Sequence, residues 1–190
     1  MGKIPEVNYR TDAELIDLTK QGDHSAFAEI VRRYKSRIAS TIHGMIGRCI
    51  EADDIGQEVF IRFYNAIANF RGDSELGTYL TRIAINLSLN EIRRRKRRRF
   101  FSLDSLTEKD TNAPDAGDAA LANDSKAIVQ QAIEKLNVKY SSVLVLRLVD
   151  GYSTEETAKI LGVPLGTVLS RLARAQIKLK EYLTPFLSEI

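Results

Sequence analysis

Apolar residues recur at steps of three and four along almost the whole chain, and no stretch sustains the alternation that a sheet requires. Phe27, Ile30, Val31, Tyr34, Ile38 and Ile42 line one helical face. Ala52, Ile55, Val59, Phe63 and Ile67 line a second. Leu76, Leu80, Ile83, Ala84 and Leu87 form a third that runs straight into a block of cations. Thr11-Asp12-Ala13-Glu14 reads as a capping box, and Gly22 suits the end of the helix it opens. The chain is therefore expected to be all-α, with a first domain over 11–99.

The pattern stops at residues 100–124. Asn112-Ala113-Pro114-Asp115-Ala116-Gly117-Asp118 has no apolar period and contains both breakers, as a flexible acidic linker would. Helical spacing resumes with Ile128, Ala132, Ile133 and Leu136, then Val143, Leu144, Leu146 and Leu148. That gives a second small helical domain over 125–187. No internal repeat is present.

Composition bounds the function. The 190 residues are 44% hydrophobic, enough for packed cores. No apolar run approaches the ~18 residues of a membrane span, and the amino terminus lacks a secretory pattern, so a cytoplasmic protein is expected. The single cysteine, Cys49, excludes an internal disulfide framework and a cysteine-only metal site. Charge is distributed in blocks. Residues 1–92 are net −2, 93–99 are net +7, 100–124 are net −5 and 125–190 are net +3. Such asymmetry points to a polyanionic partner.

Ser153-Thr154-Glu155-Glu156 is a second capping box, opening a short helix through Ala158, Ile160 and Leu161. Gly162 would end it in a left-handed conformation, and Pro164 sits where a missing N–H costs nothing. Small Ala158 permits close approach, and Val168, Leu172 and Leu179 repeat on the next helix. The pattern is that of a helix-turn-helix, whose second helix enters the major groove. Its outer arc would carry Thr167, Leu169, Ser170, Arg171, Ala173, Arg174 and Lys178.

Two further features carry charge. Asp54, Gln57 and Glu58 fall on one exposed strip at helical spacing. Arg93 to Arg99, Arg95 and Lys96 among them, are too dense to be neutralised locally and suit phosphate contact. Just before them lie Phe70, Tyr79, Asn86 and Asn90, side chains suited to unstacked bases. His24 and His43 stand alone in sequence, so no metal or other cofactor is expected.

Taken together, the chain resembles a bacterial RNA polymerase sigma factor of the extracytoplasmic-function (ECF) type over about residues 11–185. The segments that carry the resemblance are Asp53 to Phe60, Phe70 to Ser74, Thr78 to Asn86 and Gly166 to Leu172. The resemblance implies a non-enzymatic initiation factor that binds core polymerase through its β′ and β subunits. It implies that Asp54, Gln57 and Glu58 dock on the β′ coiled coil. It implies that Phe70, Arg71, Asp73, Ser74, Tyr79 and Asn86, with Arg93, Arg95 and Lys96, hold the melted −10 element. It implies that the helix-turn-helix reads the −35 element as duplex, and that the linker threads into the polymerase interior. An anti-sigma factor, in this family often membrane-bound, is the implied regulator. Tyr79 stands where the family usually has Trp, and Leu169 and Ala173 replace outward residues that are often basic, larger or polar.

Two other functions compete. A free-standing helix-turn-helix regulator would explain residues 125–190 and leave the acidic strip and residues 70–90 without a task. A carboxylate-dependent hydrolase on the 53–58 helix would need metal-dependent phosphoester turnover. Co-purification with core polymerase separates the first rival from the sigma reading.

Overall fold

The computed structural model describes residues 10–104 and 125–187, and every regular element among them is helical. The part of the expected linker over 105–124 lies outside the described residues. Helix α1 (Asp12–Lys20) opens on the expected capping box, with the Glu14 amide donating to Thr11 Oγ1 and the Thr11 amide to the Glu14 carboxylate. Helix α2 (His24–Ile46) starts under Asp23, whose Oδ1 accepts from the Ser25 amide at 2.8 Å and the Ala26 amide at 3.2 Å. Helix α3 (Ile50–Ala66) runs into a short 3-10 turn, Ile67–Asn69. Helix α4 (Leu76–Asp104) continues past Arg99 into the stretch expected to be linker. No Gly or Pro stands between Arg99 and Asp104 to stop it.

Helix α2 is the axis of the first domain and packs against α1, α3 and α4. The expected stripes supply the core: Ile30, Ile38, Ile42, Val59, Phe63, Leu80 and Ala84 are all fully buried. Truncating a side chain such as Phe63 to Ala costs about 3–5 kcal/mol in such a setting.

The second domain comprises α5 (Ser125–Lys135), α6 (Val138–Leu144), a π-helical turn (Val145–Val149), α7 (Thr154–Leu161) and α8 (Leu165–Leu187). The π turn shifts the register, so Leu148, which the spacing places with the core, is half exposed. The chain then reverses through Gly151, at φ +74°, and buries Tyr152.

The two domains pack directly on each other. Their buried side chains form one contiguous cluster, from Ile38 and Leu80 in the first to Val145 and Tyr152 in the second. The contact is made by α2 with the π turn and α5, and by α4 with α7.

Candidate polymerase and nucleic-acid interfaces

Helix α3 presents the acidic strip. Its first turn carries Glu51 and Asp53, favourable at the positive end of a helix dipole. Ala52, Val59 and Phe63 turn inward, which leaves Asp54 and Gln57 exposed and Glu58 partly so. Glu58 accepts from Arg62 Nε at 2.7 Å, an ion pair too exposed to add much stability. Ile50 and Ile61 share this arc and are 82% and 53% exposed, so the strip is amphipathic. Residues 50, 54, 57, 58 and 61 are spaced to fall together, a signal that the acidic residues alone do not reveal.

The next surface is the loop between α3 and α4 and the outer side of α4. Phe70 and Tyr79 are half-buried and meet edge-to-face at 5.0 Å, each also packed on Phe63, at 5.7 and 5.9 Å. Such pairs add ~0.5–1.5 kcal/mol beyond area burial. Lys20 Nζ donates to the Phe70 carbonyl at 3.0 Å and pins the loop from below. Arg71 and Asp73 are thereby exposed and Ser74 half-exposed, around Gly72 at φ +77°. Asn86 is exposed two helical turns beyond Tyr79, with Arg93 two turns further on. Arg93 Nη1 donates to Asn90 Oδ1 at 3.1 Å, so the Asn90 side-chain oxygen is engaged within the helix.

The cationic block is not uniform. Arg93, Arg94, Lys96, Arg97 and Arg98 are exposed. Arg95 instead turns into the protein. Its guanidinium donates to Glu91 Oε1, the Ile46 carbonyl, Cys49 Sγ and Glu51 Oε2, at 3.1, 3.2, 2.9 and 3.3 Å. Arg94 pairs with the other Glu91 oxygen at 2.6 Å. Burial pushes the Glu91 carboxyl up, but Arg94 and Arg95 more than offset this and hold it below its ordinary value. Arg95, grouped by sequence with the nucleic-acid contacts, is thus the residue that fixes α4 to the α2–α3 corner.

The helix-turn-helix is built as its sequence implies. Ser153 Oγ accepts from the Glu156 amide at 3.1 Å, and the Glu156 carboxylate accepts from the Ser153 amide at 2.7 Å. Gly162 is left-handed at φ +63°, and α8 begins after Pro164. Val168 and Ala175 are fully buried, while Leu169, Ser170, Ala173, Arg174 and Lys178 are exposed and Thr167 and Arg171 partly so. Ser170 Oγ donates back to the Thr167 carbonyl at 3.1 Å, so its proton is spent on the helix itself.

The geometry defines a class: a helical two-domain protein with a helix-turn-helix on one domain and a basic, aromatic-flanked helix on the other. Residues 30–98 match the family Sigma-70 region 2, and residues 126–179 match Sigma-70, region 4. The chain is 36% identical to the RNA polymerase sigma-H factor of Pseudomonas aeruginosa, over 94% of this chain and 96% of that one. It is 36% identical to the ECF RNA polymerase sigma factor SigW of Bacillus subtilis, over 88% and 94%. The fold is similar to that of CnrH, solved in complex with the cytosolic domain of CnrY, at a TM-score of 0.68 and 24% identity, covering 92% and 97% of the two chains. The chain belongs to the ECF RNA polymerase sigma factors. It is therefore a transcription initiation factor that directs polymerase to promoters, and not an enzyme. The region 2 match covers the acidic strip and residues 70–90, which a free-standing helix-turn-helix regulator leaves without a role. Among the described residues, no helix is long and apolar enough to cross a membrane.

Proposed function

We propose that the three exposed surfaces divide the work of initiation. The amphipathic arc of α3, with Asp54, Gln57 and Glu58, docks on the β′ coiled coil. The loop Phe70 to Ser74 and the α4 face bearing Asn86 hold the melted −10 element, with Arg93, Lys96 and Arg97 along its phosphates. Helix α8 reads the −35 element as duplex, through Leu169, Ala173 and Arg174. Phe70 and Tyr79 support this reading as the rigid floor under the −10 loop, because both rings are engaged with Phe63.

The observation that carries the proposal is the juxtaposition of exposed Asn86 with a pinned loop and a cationic helix end. An extruded base costs a few kcal/mol in unstacking, and only a base that pairs with the site recovers it. The action is cytoplasmic. An anti-sigma factor is the expected regulator, since a structural neighbour from Bartonella quintana, the sigma factor RpoE, was solved with the anti-sigma factor NepR. The test is transcription by purified core polymerase and this protein on a pool of random promoters, followed by sequencing of the selected templates. Selection of paired motifs at a fixed spacing is expected. Enrichment of one duplex motif alone would remove the −10 assignment.

A further inference from the structure

The loop that carries Arg71, Asp73 and Ser74 is held at both ends from a helix that lies outside the region 2 match, which begins at residue 30. Helix α1 buries Leu15, Ile16 and Thr19, and packs on α2 and on the 3-10 turn Ile67–Asn69. Lys20, its last residue, is exposed and donates from Nζ to the Phe70 carbonyl at 3.0 Å, across 50 residues of sequence. The Phe70 amide donates to the Ile67 carbonyl at 3.1 Å and closes the 3-10 turn. The Phe70 carbonyl and the Arg71 amide belong to one planar peptide unit, so the lysine that holds the oxygen also aims the first N–H of the loop. At the other end, the first turn of α4 rests on Tyr34. A Cβ placed on Gly77 would stand 3.1 Å from Tyr34 Cε1 and 3.4 Å from Arg37 Nη1, so a side chain there would force the ring or the helix start to shift. Tyr34 is fixed in turn by α1. Its hydroxyl donates to Asp12 Oδ2, while Arg33 Nη1 donates to Asp12 Oδ1 at 3.2 Å. Burial and the Asp12 carboxylate push the Tyr34 phenol well above its ordinary value, so the hydroxyl keeps the proton that it donates.

We propose that α1 is the positioning element of the −10 loop: Lys20 sets the direction in which the loop leaves Phe70, and Asp12, through Tyr34, sets the place at which it enters α4. This role rests on the −10 reading above. The aromatic cluster fixes the Phe70 ring, whereas Lys20 fixes its backbone. Gly72 stands at φ +77°, and a glycine there adds freedom rather than direction, so the anchors decide where Asp73 and Ser74 point. A site that discriminates bases needs its contacts held to within about 0.5 Å of the productive geometry. Neither Lys20 nor Asp12 has to touch DNA for this, since both act through the loop.

The test compares two variants of the full-length protein. Lys20→Met keeps the long side chain and loses the donor, and Lys20→Arg keeps a cationic donor. On a promoter recovered by the selection above, Lys20→Met should open the −10 region about fivefold more slowly. Its preference for that promoter over one with a single −10 base pair changed should shrink by a similar factor. Core-polymerase affinity, −35 duplex binding and melting temperature should match the parent. Hydrogen exchange at the Arg71 to Ser74 amides should quicken at least about threefold. Lys20→Arg should restore opening, preference and exchange. Tyr34→Phe, which cuts the link to Asp12, should also blunt −10 preference, and parental preference in that variant would remove the Asp12 branch. Undiminished preference in Lys20→Met, a loss that Lys20→Arg does not restore, or a parallel fall in core affinity and melting temperature would overturn the role of Lys20. If Arg71→Ala with Asp73→Ala leaves −10 preference unchanged, the −10 reading has failed instead, and loop exchange in Lys20→Met against the parent decides alone whether α1 sets the loop.

Discussion

Arg95 Nη2 donates to Cys49 Sγ across 46 residues of sequence, at 2.9 Å, and the same guanidinium holds Glu91 and the Ile46 carbonyl. One cation of the block thus serves the fold while its neighbours face solvent. Arg95→Gln should destabilise the protein by about 1–3 kcal/mol, because Glu91 loses one of its two charged partners and a carbonyl loses its donor. Urea unfolding checks this. The triple change Arg93→Gln, Lys96→Gln and Arg97→Gln should leave stability nearly unchanged. It should instead lower the slope of log affinity against log salt by up to about 0.9 per duplex phosphate contact, or 0.7 on single strands. A change in promoter preference with an unchanged salt slope would move those residues into base readout.

The division of the cationic run was not legible in the sequence. Seven consecutive bases look alike, and the groups that single out Arg95 lie on α2 and α3. Helices and caps were legible, because Thr11 with Glu14 and Ser153 with Glu156 close their boxes locally. The domain packing was not. Its residues are Thr41, Thr81, Gly44 and Tyr152, which read as polar interruptions of an apolar period and become core only when the partner face is present. The π turn was equally hidden, since Val145 to Leu148 fit an α-helical reading as well.

Asp54→Lys should weaken binding to core polymerase more than Glu58→Gln. Asp54 is exposed on the α3 arc, whereas Glu58 is already partly neutralised by Arg62. Like-charge contact in a charged interface costs several kcal/mol, so a competition assay should show a loss of at least about a hundredfold for Asp54→Lys. Thermal stability should be unaffected at so exposed a site. Undiminished affinity would remove α3 from the polymerase interface.

Asn86→Ala should impair promoter opening more than initial duplex binding. The side chain is exposed on α4, so the fold has no need of it. A lost base contact is worth ~1–3 kcal/mol. Permanganate footprinting of the −10 region reads the effect directly, and wild-type reactivity in the variant would make Asn86 an ordinary surface residue.

Acid should tighten the contact between the domains. Burial raises the Asp150 carboxyl above its ordinary range, and Thr41, Ser40 and Arg37 offset this only in part. Arg37 is the charged neighbour that acts on Asp150 directly, and Tyr152, Glu156 and Arg147 are the other ionisable groups at this corner. A group whose pKa is raised by the packing of the two domains stabilises that packing fully below the ordinary carboxylate pKa, and the contribution is lost as pH rises through the raised value. Scattering or single-molecule distances should therefore report a more compact protein near pH 5 than near pH 7.5. Asp150→Asn, which mimics the protonated acid, should be compact at both. Equal pH responses in parent and variant would exclude Asp150 as the titrating group.

Leu169 tests what α8 reads. Val168 is fully buried one residue earlier, and Leu169, about 100° further round the helix, is 50% exposed. Ala173 follows one turn on and is also exposed, so the two form an apolar patch beside Arg174. The Arg174 guanidinium also reaches back to the Tyr140 hydroxyl. Burial raises that phenol, but the Arg174 and Lys139 cations more than offset it and leave it below its ordinary value. In a major groove the apolar feature on a base edge is the thymine methyl. The N-terminal turns of a recognition helix are the part that meets base edges. Leu169 and Ala173 should therefore favour thymine at one or two −35 positions. Leu169→Arg should leave the melting temperature unchanged, because no buried contact is lost. The new cation should strengthen duplex binding, steepen its salt dependence by up to about one unit, and shift preference from thymine toward guanine, whose O6 and N7 accept a bidentate arginine. Selection from randomised −35 duplexes by parent and variant measures all three. A steeper salt slope with the same base preference would place Leu169 over the phosphates, and the thymine assignment would be withdrawn.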